Sequence, residues 1–140
     1  MNHERKNHMA DAAVFGGRLL LAVLFLGGAL QKAVDPAPAM GLLVDRSLPV
    51  VLIWPALAFN GAVGLALVLG WQVRAVALVA ALYCAVTSLF HFLPDDPWQM
   101  SIFVKNWAIA GGLLVLGAHG GGRWVLQRRR ATLGSQTDET

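Results

Sequence analysis

At 140 residues the chain is at most one domain, and it is 56% apolar and only 14% charged, against roughly 25% charged in an average soluble domain. So little charge cannot cover a soluble globule, and so apolar a chain is not a disordered one. The net charge of +3 comes from bases at the chain ends and segment borders, which speaks for membrane orientation and against nucleic-acid binding. The single cysteine, Cys84, excludes an internal disulfide or a dithiol redox pair.

Hydrophobic runs set the order of elements, because a helix needs about 20 apolar residues to cross a bilayer. The first run, from Ala12 to Leu30, is interrupted only by Arg18. Asp35-Pro36 and Pro38 close it and open a short interfacial helix through Asp45. Ser47 and Pro49 start the second span, inside which Pro55 is expected to make a kink. The stretch Gly70 to Val73 is a turn, the third span fills the space between Arg74 and Asp95, and Pro94-Asp95-Asp96-Pro97 is a second turn. The fourth span lies between Lys105 and Arg123, takes its first turns from Pro97 onward, and stops at Gly120-Gly121-Gly122. The reading is an all-α, integral membrane, antiparallel four-helix bundle. Its layout is a polar segment 1–11, spans near 12–33, 49–69, 74–93 and 99–119 within a domain 12–122, and a basic tail 123–140.

Arg5, Lys6, Arg18, Arg74, Arg123, Arg128, Arg129 and Arg130 gather on one side of this topology, and only Lys32, Arg46 and Lys105 on the other. Both termini are therefore expected in the cytoplasm. Trp54, Trp98 and Trp107 fall toward outer helix ends and Trp71 and Trp124 toward inner ones, as in an aromatic belt. A rival reading takes the basic start, the apolar stretch Leu19 to Leu26 and Gly27-Gly28-Ala29 as a cleavable signal peptide. The even charge pattern of four spans argues against it.

Polar groups inside a span are costly and by default functional. Gln31, Lys32 and Asp35 end the first span, His91 ends the third, and Lys105-Asn106 begins the fourth, all at the outer end, with Asn60 beneath. They are expected to form a polar cup that opens outward. The primary ligand candidates are Gln31, Lys32, Asn60, His91, Lys105 and Asn106, with Arg18, Asp35 and Arg74 as secondary polar groups. Each also has a plainer reading. Arg18, Arg74 and Lys105 can snorkel to headgroups, Asn60 can bond a neighbouring helix, and the Ala56/Asn60/Gly64 and Ala77/Ala81/Ala85 stripes are packing surfaces. His91 and His119 lie at opposite faces, no residue spacing suits a metal site, and no nucleophile elbow or paired carboxylate is present. No autonomous catalytic constellation is visible, so an enzymatic activity stays open.

Several short pieces in order carry a resemblance. They are Arg18-Leu19-Leu20-Leu21-Ala22 with Leu24-Phe25, then Gly28 and Lys32 before Asp35-Pro36, and Asn60-Gly61 through Gly64 and Gly70 with Arg74 after the turn. Phe90-His91 and Phe103-Val104-Lys105-Asn106 with Gly111-Gly112 complete the set. Over most of Arg18 to Arg123 the chain resembles the DoxX family of small four-helix inner-membrane proteins. The resemblance implies a bacterial inner-membrane setting and an association with quinol oxidation and thiosulfate:quinone oxidoreduction. It also implies a membrane or periplasmic redox partner, and a quinone as a non-covalent ligand. Family members often carry a glutamate where this chain has Asn60, which removes any proton-coupled role of that acid. The chemistry of quinone-linked disulfide enzymes is also absent, because the paired cysteines are. Two functions follow: a quinone- or lipid-binding accessory of a membrane redox system, or a structural subunit whose Gly/Ala stripes bind another membrane protein. The same stripes are compatible with a homo-oligomer. A small transporter is the weaker third reading, since four helices leave little room for alternating access.

Overall fold

The computed structural model describes residues 2–126. Those residues form five α-helices: α1 Asn2–Val34, α2 Ala37–Asp45, α3 Ile53–Leu69, α4 Val73–Ser88 and α5 Pro97–His119. Short 3-10 turns at Val50–Leu52 and Leu89–His91 precede α3 and follow α4. Among the described residues there is no strand, and four helical stretches are long and apolar enough to cross a membrane: His8–Val34, Val50–Leu69, Val73–His91 and Pro97–His119. Arg128, Arg129 and Arg130, which entered the charge count, lie outside the described residues.

The helix ends follow local chemistry. Pro36 precedes α2, whose N-terminal end holds Pro38, and Asp35 Oδ1 accepts from Ala37 N at 3.3 Å. Gly70 ends α3 in the left-handed region at φ 72°, where an L side chain would be strained. Asp96 caps α5, its Oδ1 accepting from Trp98 N and Gln99 N at 2.9 and 3.2 Å, with Pro97 at the first helical position. Gly120 closes α5 through its N–H to Leu116 O at 2.8 Å.

Three details differ from the sequence reading. The first helix starts near the chain's beginning, because residues 2–11 contain no glycine or proline to stop it. Pro55 lies in the first turn of α3, where the missing N–H has no intrahelical partner to lose, so the reason for a kink disappears. Lys105 and Asn106 stand about two turns inside α5 rather than at its start. Trp107 is correspondingly near the middle of α5, beside Phe103 at 6.3 Å, and does not belong to an end belt.

The packing is inverted relative to a soluble bundle. Small residues fill the interior, among them Ala22, Ala66, Ala77, Ala80, Ala81 and Ala110, while Leu20, Val23, Leu65, Leu82, Leu114 and Val115 face outward. In lipid, burying a leucine gains little over leaving it among acyl chains, so close backbone approach drives association instead. Gly64 shows this between α1 and α3. A methyl there would lie 2.6 Å from Leu26 Cγ and 3.2 Å from Ala22 O. Gly28 meets Asn60, Leu26 meets Gly64 and Arg18 meets Gly70, so α3 runs antiparallel to α1. The helix α5 likewise runs back along α4, with Gly117 against Leu78 at one end and Gln99 against His91 at the other. These two pairs are tight, and the contact of α3 with α4 and of α1 with α5 is sparse. Phe59 and Tyr83, 4.5 Å apart, are one of the bridges between the pairs.

Candidate functional site

Two tight pairs that meet loosely leave space between them. At the α2 end this space is a cavity of about 450 Å³, lined by side chains from all five helices. That falls in the usual range of roughly 300–1,000 Å³ for small-molecule sites. Its wall is mostly apolar, with Phe25 from α1, Leu42 and Leu43 from α2, Ile53 from α3 and Ile109 from α5. Gln31, Lys32, Asn60, His91, Lys105 and Asn106 all line it as well.

Each polar group is held differently. Lys32, half-buried, reaches back one turn and donates from Nζ to Gly28 O at 3.1 Å. Asn60 is 5% exposed, and its Oδ1 is buried without a hydrogen-bond partner. His91 Nδ1 lies 2.7 Å from Gln99 Oε1. A carbonyl oxygen only accepts, so the ring donates from Nδ1, and in the neutral ring Nε2 is an acceptor. The hydroxyl of Thr87, also on the wall, is spent on its own helix, donating to Tyr83 O at 2.8 Å. The cavity thus offers donors from lysine and amide groups within a mostly apolar wall, which suits oxygen acceptors on an amphiphilic molecule.

The secondary polar groups do not reach it. Asp35 is exposed and turned to the backbone of Ala37. Arg74 stands at the opposite end, its Nε 3.1 Å from where a methyl on Gly120 would lie. Arg18 does not line the cavity. It is 1% exposed, donates from its two terminal nitrogens to Gly121 O at 3.1 Å and Trp124 O at 2.7 Å, and lies 5.2 Å from the Phe15 ring. These bonds draw residues 120–126 across the far end of the bundle. Asp11 pairs with Arg123 at 3.9 Å there, and Leu126 N donates to Leu69 O at 3.2 Å.

The contribution of α2 escaped the sequence reading. Ala39, Leu42 and Leu43 all line the cavity, at the i, i+3, i+4 spacing of one helical face. That spacing was the available signal. Arg46, just past α2, ties it down by donating to Leu89 O at 2.9 Å. Among the described residues no three His, Cys, Asp or Glu side chains gather as a metal site would require.

Four spanning helices, an inverted interior and a cavity at one end define a small multi-pass membrane protein with a built-in chamber. The chain belongs to the DoxX family, whose pattern matches residues 13–93. It is 32% identical over 127 residues to inner membrane protein YqjF of Escherichia coli (strain K12), covering 86% of this chain and 93% of that one. No solved structure matches it.

Proposed function

We propose that the cavity binds the head of a quinone- or lipid-sized amphiphile and that the protein is an inner-membrane accessory of a redox system. The observation that carries this reading is that six polar residues chosen for their place in the spans line one mostly apolar cavity. Lys105, Asn106 and Gln31 donate to head oxygens, His91 is oriented by Gln99, and the apolar wall holds the body. Cys84 is the chain's single thiol, so a dithiol cycle would have to come from a partner. The inner-membrane setting is supported by the name of the Escherichia coli relative.

Mass spectrometry of quinones and lipids retained by the purified protein tests the reading. Asn106→Ala should weaken retention by about 1–3 kcal/mol for the bond lost, Lys105→Ala, at an exposed lysine on the cavity rim, should weaken it less, and Leu114→Ala on the outward face should not. Unchanged retention in the Lys105/Asn106 double variant would favour the assembly-subunit reading. That reading draws on Gly111 and Gly112, which present open backbone on the outward side of α5.

The bias of Lys and Arg toward one side supports both termini in the cytoplasm. A cytoplasmic reporter fused after Gly122 should be active, and one inserted between Asp95 and Asp96 should be silent. The reverse pattern would invert the topology.

A further inference from the structure

We infer that the cavity selects an acidic amphiphile, with one oxyanion, a carboxylate or a phenolate, on an apolar body, seated at Lys32 and Asn60. This rests on the reading of the cavity as a ligand site and adds the charge of the head.

The cavity lining contains Lys32, Lys105 and His91 and no aspartate or glutamate. The nearby acids are engaged elsewhere or stand apart. Asp35 caps Ala37, Asp96 caps α5, and Asp45 and Asp95 are exposed and outside the lining. Among the described residues the one carboxylate–cation pair is Asp11 with Arg123, at the opposite end of the bundle. With one ammonium hydrogen given to the Gly28 carbonyl, Lys32 brings two further donor hydrogens to the cavity.

A second donor faces the same spot. A methyl built on Gly28 would lie 2.9 Å from Asn60 Nδ2 and 3.7 Å from Lys32 Nζ, so an amide from α3 and an ammonium from α1 flank one bare stretch of backbone. Lys105, an exposed cation from α5, also lines the cavity. An ammonium without a counter-ion in a membrane span is unfavourable, and charges attract more strongly in that low-dielectric setting than in water. A neutral quinone carbonyl would accept a hydrogen bond yet leave the half-buried Lys32 uncompensated. An oxyanion satisfies the donors and the charge together. Most of the remaining wall is apolar, and about 450 Å³ accommodates a ring or a single chain.

The test uses the purified full-length protein in non-ionic detergent at neutral pH, with two matched probe pairs. One is dodecanoate with methyl dodecanoate. The other is an alkylated hydroxynaphthoquinone, ionised at neutral pH, with its methyl ether. The acid of at least one pair should bind about tenfold or more tighter than its neutral partner, and the pair that shows this separates a carboxylate from a phenolate ligand. Lys32→Met should remove the preference by weakening the acid far more than its neutral partner, and Lys32→Arg should keep it. Should Lys32→Met fail to fold, the comparison within each pair on the unaltered protein still decides the matter. Equal affinities within both pairs overturn the inference and leave a neutral-ligand site. Failure of all four probes to bind overturns the ligand reading with it. A preference that survives Lys32→Met overturns the seat at Lys32.

Discussion

Hydrogen exchange of the backbone amides in residues 121–126 should accelerate about 30-fold when Arg18 is replaced by methionine, a loss of about 2 kcal/mol in local stability. Arg18 holds this segment through Gly121 O and Trp124 O, and a bond to a charged group contributes about 1.5–3 kcal/mol. Against that stands the cost of burying the guanidinium. It is 1% exposed, its Nε has no partner, and among the described residues no carboxylate pairs with it. Methionine keeps the apolar stem, removes the charge and removes both donors, so the two effects partly offset. The net loss appears locally, because the freed carbonyls can take water once the segment lifts, while the α1–α3 and α4–α5 pairings remain. Arg18→Lys should fall between, since one ammonium cannot reproduce the planar fork that reaches two carbonyls. Unchanged exchange in Arg18→Met would show that the Asp11–Arg123 pair and the Leu126–Leu69 bond hold the segment unaided.

Enlarging Gly64 should destabilise the bundle in steps of size. With alanine, the new methyl would sit 2.6 Å from Leu26 Cγ and 2.7 Å from Leu26 Cδ2, and Leu26 can swing aside; it would also sit 3.2 Å from Ala22 O, which is backbone. Alanine is therefore expected to cost about 1 kcal/mol and valine about 3 kcal/mol, in the range of overpacked cores. Valine forces α1 and α3 apart, and this pair carries one wall of the cavity through Phe25, Lys32 and Asn60. Thermal unfolding in detergent gives the stability, and probe retention gives the effect on the cavity. A valine variant as stable as the parent would mean that close backbone approach at Gly64 is not what joins these two helices.

The elements of this protein are local properties and were legible as such. Apolar runs bounded by Arg46, Arg74, Asp95 and Arg123 give four spans. Asp35-Pro36, Gly70 and Asp96-Pro97 punctuate them through capping and backbone preferences that act within a few residues. The six polar residues named from the sequence all fall in the cavity lining, because a polar side chain in a span has few places to go.

What the tertiary structure decided is how these pieces share contact. Sequence order makes α3 and α4 neighbours across a short turn, but tight contact falls on α1 with α3 and on α4 with α5. Which small-residue faces meet depends on the rotation of each helix about its axis, and a run that is apolar all round does not encode that rotation. The sparse contact left over is the cavity, and the place of α2 in its wall follows from the same arrangement. Arg18 makes the distinction most clearly. Its residue type marks it as costly in a span, yet its partners, Gly121 and Trp124, lie more than a hundred residues away. Only the folded chain brings their carbonyl oxygens to the guanidinium and so makes Arg18 the clamp at one end of the bundle while Lys32, on the same helix, faces the chamber at the other.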